Sequence, residues 1–341
     1  MSTILCTIYN SLYLDKGLVL YDSLCECAKV FKLYVLCMDD KCYDVLADLK
    51  QEHHIPVRLS DFEDGDEELL AAKANRPMGE YCWTCSSSFI RYVLKHYNED
   101  NCTYIDADMC FYSNPQLLVD EMLAAGKSVM VVPHWFHKDN QMLARKVGKY
   151  CVEFNTFLNN PESLEVLEYW RNRCLDTVKQ KDDGIHYGDQ KYLEELVNNF
   201  NCVHECSNRG AGIAPWNIVT FKHTNIDYQL SYNNEEIIKA VFFHYQGIVN
   251  ISRELFVIGS KKNLTDSKLI DCFYIEYLKR IQKWRKELSV RYDLKGFIIG
   301  HPAMKHKLTT FKQTLIGEFL NYLFLNYIQK SRVVRVKLIK F

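Results

Sequence analysis

The stretch Tyr104-Ile105-Asp106-Ala107-Asp108-Met109-Cys110-Phe111 joins an apolar run, residues 102–105, to two carboxylates and a second apolar run. The first run predicts a strand. On extended chain successive side chains alternate, so Asp106 and Asp108 point to one side while Ile105 points into the core. In open α/β sheets, ligands bind in the crevice beyond the carboxyl ends of the strands. Paired carboxylates in that place suit a hard divalent cation with oxygen ligands, one that bridges them to a diphosphate. A solvated turn is the alternative reading of any D-x-D triplet, and the apolar flanks on both sides disfavour it.

Toward the amino terminus, residues 4–9 and 32–38 read as strands, and residues 17–30, 43–52, 66–75 and 84–96 as helices. Residues 55–59 read as a short strand that Pro56 confines to a sheet edge. Toward the carboxyl terminus, Asn114-Pro115 starts a helix, with a capping side chain followed by proline at the first helical position. Residues 128–132 and 240–245 read as strands, 162–180 and 189–200 as helices. Residues 265–288 carry Ile270, Phe273, Tyr274, Tyr277, Leu278, Ile281 and Trp284 at helical spacing, which predicts a helix packed on the core. This alternation predicts the α/β class, a mostly parallel Rossmann-like sheet covered on both faces. The expected partition is one main domain over 1–261 and a helical, basic C-terminal extension over 262–341.

The 341 residues are 48% hydrophobic and 25% charged, an ordinary globular composition that excludes disordered and collagen-like classes. The net charge of −1 is a cancellation. Residues 301–341 carry eight Lys and Arg against the single Glu318, a balance of +7, which leaves −8 for residues 1–300. Residues 1–15 lack the charged and apolar regions of a signal peptide, so a reducing cytoplasmic location is expected and the 14 cysteines read as thiols. Cys82-Trp-Thr-Cys85 has metal-ligand spacing, but Cys202, His204 and Cys206 make a poor second pair for zinc.

Three further motifs carry chemistry. Val241-Phe-Phe-His244-Tyr-Gln-Gly247 ends an apolar run on a histidine and a glycine. It fits a metal ligand beside backbone that approaches a phosphate, or a core histidine with satisfied hydrogen bonds. His186-Tyr-Gly188-Asp189-Gln190 places Asp189 and Gln190 at the start of a helix, facing a cleft or capping that helix. Arg209-Gly-Ala-Gly212-Ile-Ala-Pro-Trp216-Asn217 is a glycine-rich turn whose tryptophan and amide suit a sugar ring, or simply pack the turn.

Together these motifs resemble a bacterial glycosyltransferase family of the GT-A type, close to glycosyltransferase family 8 of the nucleotide-diphospho-sugar transferases. The resemblance spans residues 3–260. It rests on Glu80-Tyr81-Cys-Trp83-Thr84, Tyr104-Ile-Asp-Ala-Asp108, Glu153-Phe-Asn155, Gly188-Asp-Gln-Lys-Tyr-Leu193, Ala214-Pro-Trp-Asn217 and Phe243-His-Tyr-Gln-Gly247. It implies a GT-A fold and a sugar transfer, with retention of anomeric configuration, from a nucleotide-diphosphate sugar to a glycan or lipid-linked acceptor. By the same resemblance Asp106, Asp108 and His244 would hold Mn²⁺ or Mg²⁺, and Ala107 and Gly247 would lie along the donor. Thr7, Tyr9 and Asn10 would meet the nucleotide, Asn155, Trp216 and Asn217 the sugar side, and Asp189 and Gln190 the reacting carbon. One departure stands out: the family often has lysine three residues past the glycine, contacting phosphate, and here that residue is Asn250.

Two rivals remain. A nucleotidyltransferase would need a phosphate loop rich in glycine and arginine, and residues 1–20 hold only Gly17 and no arginine. A non-catalytic nucleotide-sugar-binding protein would not require Asp106, Asp108 and His244 intact. Residues 315–328 are apolar and aromatic and precede Arg332, Arg335, Lys337 and Lys340, so 315–341 reads as a segment lying on an anionic membrane surface, or as a helix docked on the body. The resemblance to transferases with lipid-linked acceptors favours a peripheral position on the inner face of the membrane. No nucleic-acid partner is expected, because the basic charge comes with no recognisable binding fold.

Overall fold

Every residue of β1, Thr3–Tyr9, is buried. Burial on both faces is what a central strand of a parallel sheet requires, and an unbroken apolar and β-branched run supplies it. The computed structural model describes residues 2–181, 183–233, 235–252, 254–294 and 331–336. From β1 the chain continues through α1 (Leu14–Cys27), β2 (Phe31–Cys37), α2 (Asp40–Leu49) and β3 (His54–Arg58). Asp39 caps α2 by accepting the Cys42 N–H at 2.7 Å. Strand β3 sits at the edge of the sheet, the position that Pro56 permits.

Helices α3 (Leu59–Glu63), α4 (Glu67–Ala74) and α5 (Met78–His96) lead to β4 (Asn101–Ile105), which pairs parallel with β1. There follow β5 (Met109–Phe111), α6 (Gln116–Ala124), β6 (Val129–Pro133), α7 (Gln141–Val147), β7 (Tyr150–Leu158), α8 (Pro161–Asp176), α9 (Leu193–Asn199) and β8 (Val203–Glu205). The seven-stranded sheet runs β3-β2-β1-β4-β7-β6-β8. It is parallel except for β7, which lies antiparallel between β4 and β6. The sequence reading has no strand here, because Glu153 and Asn155 interrupt the apolar pattern; both are fully buried in β7.

Alternation along the strands builds a core on each face. Leu5 and Tyr9 of β1 join Leu33 and Val35 of β2 on the side of α1, whereas Ile4, Cys6 and Ile8 face α5 and α8 with Tyr34 and Leu36.

The remaining strands are short: β9 (Phe221–His223), β10 (Gln229–Tyr232) and β11 (Glu236–Lys239) form one sheet, and β12 (Phe242–His244) pairs antiparallel with β5. Strands β13 (Val249–Asn250) and β14 (Leu255–Ser260) precede α10 (Ser267–Leu269), a π-helical turn (Ile270–Ile275) and α11 (Glu276–Tyr292). The expected partition at 261/262 falls between β14 and α10, and α11 buries Tyr277, Leu278, Ile281 and Leu288 in the same core as α1. Polar contacts fix that packing: Arg285 Nε meets Asp15 at 2.5 Å, Trp284 donates to Asp22 at 2.7 Å, and Arg280 forks onto Glu26.

Residues 331–335 form β15 (Ser331–Arg335), antiparallel to β14, with Val336 buried. Arg332 and Arg335 therefore sit on a strand paired to the body instead of continuing an amphipathic helix. Their neighbours Val333 and Val334 are β-branched, which favours the strand. Residues 315–328 lie outside the described residues. Among the described residues, no helix is long and apolar enough to cross a membrane.

Candidate functional site

The carboxyl ends of β1 and β4 open onto a cleft of 440 Å³ lined by Tyr9, Asn10, Asp106, Ala107, Asp108, Asp189, Gln190 and His244, among others. Asp106 and Asp108 reach it from the turn that joins β4 to β5, along which burial alternates: Ile105, Ala107 and Met109 are buried, and the two aspartates between them are only partly so. The turn is no solvated loop, because β12 and β7 enclose it. Strand β12 sets His244 opposite Met109, and the Tyr245 N–H donates to the Asp108 carbonyl at 2.8 Å. Strand β7 sets Phe154 opposite Ile105, which brings Glu153 beside Asp106.

His244 is the hub. Its Nε2 lies 3.2 Å from Asp108 Oδ1 and 3.6 Å from Asp106 Oδ2, and its Nδ1 lies 2.6 Å from Glu153 Oε2. Glu153 is wholly buried, and its Oε1 has no hydrogen-bond partner. A carboxylate that accepts Nδ1–H turns Nε2 toward the two aspartates, the tautomer a metal-ligating imidazole needs. Gly212, with φ +78°, backs onto this arrangement, since a Cβ there would stand 2.9 Å from Glu153 Oε1.

Burial alone would lower the His244 imidazolium, but contacts with Asp108, Cys151 and Glu153 hold it well above its ordinary value. Burial pushes the Asp106 carboxyl up to about 6, with Asp108 and Glu153 adding to it against the pull of His244. Asp108 behaves oppositely: burial is outweighed by Lys16 and His244, which hold it well below the carboxylate range. The Lys16 ammonium stands 3.7 Å from Asp108 Oδ2.

The donor set suits a hard divalent cation. Candidate ligand atoms of Asp106, Cys151 and His244 lie within 4.8 Å of one another, and Asp108 adjoins His244. Burial pushes the Cys151 thiol up to about 12, so it stays neutral, which leaves oxygen and imidazole donors, the preference of Mn²⁺ and Mg²⁺. Because His244 and Asp106 both hold protons more firmly than usual, loading a cation must displace protons. Mn²⁺ affinity is therefore expected to rise between pH 6 and pH 8, with release of about one proton per ion. Calorimetry in two buffers of different ionisation enthalpy measures this, and a pH-independent affinity would refute it.

Asp189 is held from both sides. Ser86 Oγ of α5 donates to its Oδ2 at 2.5 Å, and Trp170 Nε1 of α8 donates to its carbonyl at 2.9 Å. Burial raises its carboxyl to about 7, with Asp106 adding to the effect and the Ser86 hydrogen bond opposing it. Gln190 follows it on a short 3₁₀ turn, its amide donating to the Val147 carbonyl at 2.6 Å.

Other expected residues stand around the cleft without lining it. Thr7 is fully buried within β1 with its hydroxyl unpaired. Asn155 is fully buried in β7 and donates to the Val152 carbonyl at 2.9 Å. Asn217 ties its own turn, accepting from Ala214 N–H and donating to the carbonyls of His134 and Gly212. Trp216 packs edge-on behind His244 at 5.4 Å with its indole N–H on the His134 carbonyl. Gly247 adopts φ +80° with open space where a Cβ would point. Conversely Glu153, Lys16, Ser86 and Trp83 had no assigned role. Trp83 lines the cleft beneath Gly188 and is 37% exposed, a large apolar face open to ligand. Its presence with Glu153 in the quoted motifs was the available signal.

No family model matches the chain. It is 29% identical over 300 residues to the uncharacterized protein YfnD of Bacillus subtilis (strain 168), covering 86% of this chain and 94% of that one. To the uncharacterized protein YfnF of the same organism it is 27% identical over 303 residues, covering 86% and 97%. Among solved structures, the galactosyltransferase LgtC in complex with donor and acceptor sugar analogs superposes with TM-score 0.50 at 12% identity, over 84% of this chain and 100% of that one. The fold is GT-A. In GT-A terms the cleft lies at the point where the order of the sheet reverses, between β1 and β4, the position at which open α/β sheets bind ligands.

Proposed function

We propose that the protein is a metal-dependent glycosyltransferase of the family 8 type. It moves a sugar from a nucleotide-diphosphate donor to a glycan or lipid-linked acceptor. The observation that carries this reading is the convergence of Asp106, Asp108 and His244 at one mouth of a GT-A sheet, with buried Glu153 fixing the imidazole. Asp106, Asp108 and His244 would hold Mn²⁺ or Mg²⁺, which supplies Lewis-acid stabilisation of the charge developing on the leaving diphosphate.

The chain's own residues do the rest. Breaking the bond between the anomeric carbon and the β-phosphate oxygen sends the electron pair to the diphosphate, and the acceptor hydroxyl forms the new bond and passes its proton to the departing diphosphate oxygen. Asp189 faces the cleft and, with its carboxyl near 7, has a large ionised fraction at neutral pH. That carboxylate opposes the positive charge growing on the anomeric carbon. Ser86 keeps it aimed. Trp83 offers its face to a sugar ring, and Tyr9 and Asn10 line the nucleotide end. The apolar, aromatic composition of 315–328, with Lys337 and Lys340, supports an acceptor presented at an anionic membrane surface.

The test is a panel of nucleotide sugars with Mn²⁺, reading nucleoside diphosphate release with and without chelator. Chelator-sensitive release from one donor is expected. Release of pyrophosphate from a sugar phosphate and a nucleoside triphosphate would instead show a nucleotidyltransferase. No release, together with no metal-dependent nucleotide binding, would overturn the reading.

A further inference from the structure

Lys16 lies in the first turn of α1, with its side chain 16% exposed. Its ammonium stands 3.7 Å from Asp108 Oδ2 and 4.0 Å from the centroid of the Tyr13 ring. The aliphatic stem borders a small cavity of 30 Å³ with Ile248, Asn250 and Tyr277, whereas Tyr13 reaches from that cavity into the main cleft. The neighbouring carboxylate on α1, Asp15, is taken by Arg285. Among the described residues, the ion pair found for Lys16 is with Asp108.

Asp108 therefore has a nitrogen partner on each oxygen, His244 Nε2 on Oδ1 and the Lys16 ammonium on Oδ2. A divalent ion recruited by that carboxylate repels the ammonium beside it, which favours a new anionic partner for Lys16. An ammonium released there remains on a four-carbon stem, next to the place where a diphosphate bridged to that ion must lie. Lysine is a compact, mobile point charge and suits a change of partner that a planar guanidinium would resist.

We propose that Lys16 is a placeholder cation, holding Asp108 in the metal-free protein and passing to the donor's diphosphate when Asp108 takes up the metal. This rests on the reading of Asp106, Asp108 and His244 as the metal and diphosphate site. Its consequence is a linkage of opposite signs. Lys16 weakens binding of the bare ion, because it competes for Asp108, and strengthens binding of the diphosphate, so metal and diphosphate bind cooperatively.

The experiment is calorimetry on the full chain with two probes, Mn²⁺ alone and inorganic pyrophosphate at saturating Mn²⁺, which presents a diphosphate without base or sugar. Lys16→Met keeps the packed stem and removes the charge. It is expected to tighten bare Mn²⁺ several-fold and to weaken pyrophosphate about tenfold, a coupling of ordinary size. Lys16→Arg, which keeps the charge, should stay nearer the unsubstituted protein on both probes. Should Lys16→Met melt more than a few degrees lower, Lys16→Gln repeats the test. Weakening of both ligands, or no change in either, would overturn the proposal, because a merely structural lysine moves both affinities the same way. Failure of the unsubstituted protein to bind Mn²⁺, or equal binding by Asp108→Asn, would instead overturn the metal-site reading beneath it.

Discussion

Asp108→Asn is expected to lower kcat/KM by about a thousandfold or more, the usual scale for removing a group that stabilises transition-state charge. The substitution keeps the shape of the side chain but removes the anion that faces both His244 and Lys16. Mn²⁺ affinity should fall with it. Stability should fall too, and only in one pH range. The folded-state carboxyl is held below its ordinary value, so ionised Asp108 contributes stability that is present above the unfolded pKa and lost as pH falls through the folded one. The variant should therefore melt lower at pH 7, by about 1–2 kcal/mol in free energy. The difference should shrink below pH 4. Steady-state kinetics at pH 7 and thermal or denaturant unfolding at pH 7 and pH 2 check both parts. A near-normal rate would remove Asp108 from the chemistry, and a collapse of the fold at both pH values would make its role structural.

Asp189→Asn should show the opposite stability. Here burial holds the carboxyl up to about 7, so the native protein is most favoured with Asp189 protonated, and that stability is lost as pH rises from the unfolded value through the folded one. Asparagine carries no such penalty. The variant is expected to melt about 2–6 °C above the unsubstituted protein at pH 8 and level with it near pH 4. Turnover should nonetheless fall by about a hundredfold or more, because the carboxylate aimed by Ser86 is gone. A protein that gains stability while losing activity is the signature of a charge kept buried for function. A lower midpoint at pH 8 would refute the buried-carboxylate account, and unchanged turnover would remove Asp189 from the reaction.

Much of the site is legible in the sequence because it lies at the ends of apolar runs. Residues 102–105 and 240–245 announce strands, and the polar residues that end them, Asp106, Asp108 and His244, have little reason to be there unless they serve a site. The fold is legible for the same local reason, since β1, β2 and β4 are mostly apolar or β-branched stretches and α1, α2 and α5 carry apolar stripes. Strand β7 is the exception. Its inward Glu153 and Asn155 break the period that identifies a strand, and that break is the price of placing a carboxylate inside the sheet.

The acidic pair, the histidine, the alternating strands and helices, and the charge divided between body and tail follow from the sequence by itself, because composition and periodicity are properties of neighbouring residues. Which groups meet does not follow. Glu153 and His244 are 91 residues apart, and Ser86 and Asp189 are 103 apart, yet each pair touches. Asp106 and Asp108 face the cleft through a turn enclosed by β7 and β12, and Lys16 finds Asp108 because α1 starts beside that turn. Strand order and register decide those distances, and only the packing of all the layers together sets register. The tertiary structure alone therefore decided that the His244 ring meets Glu153, and that Asp189, Asn155 and Asn217 are buried.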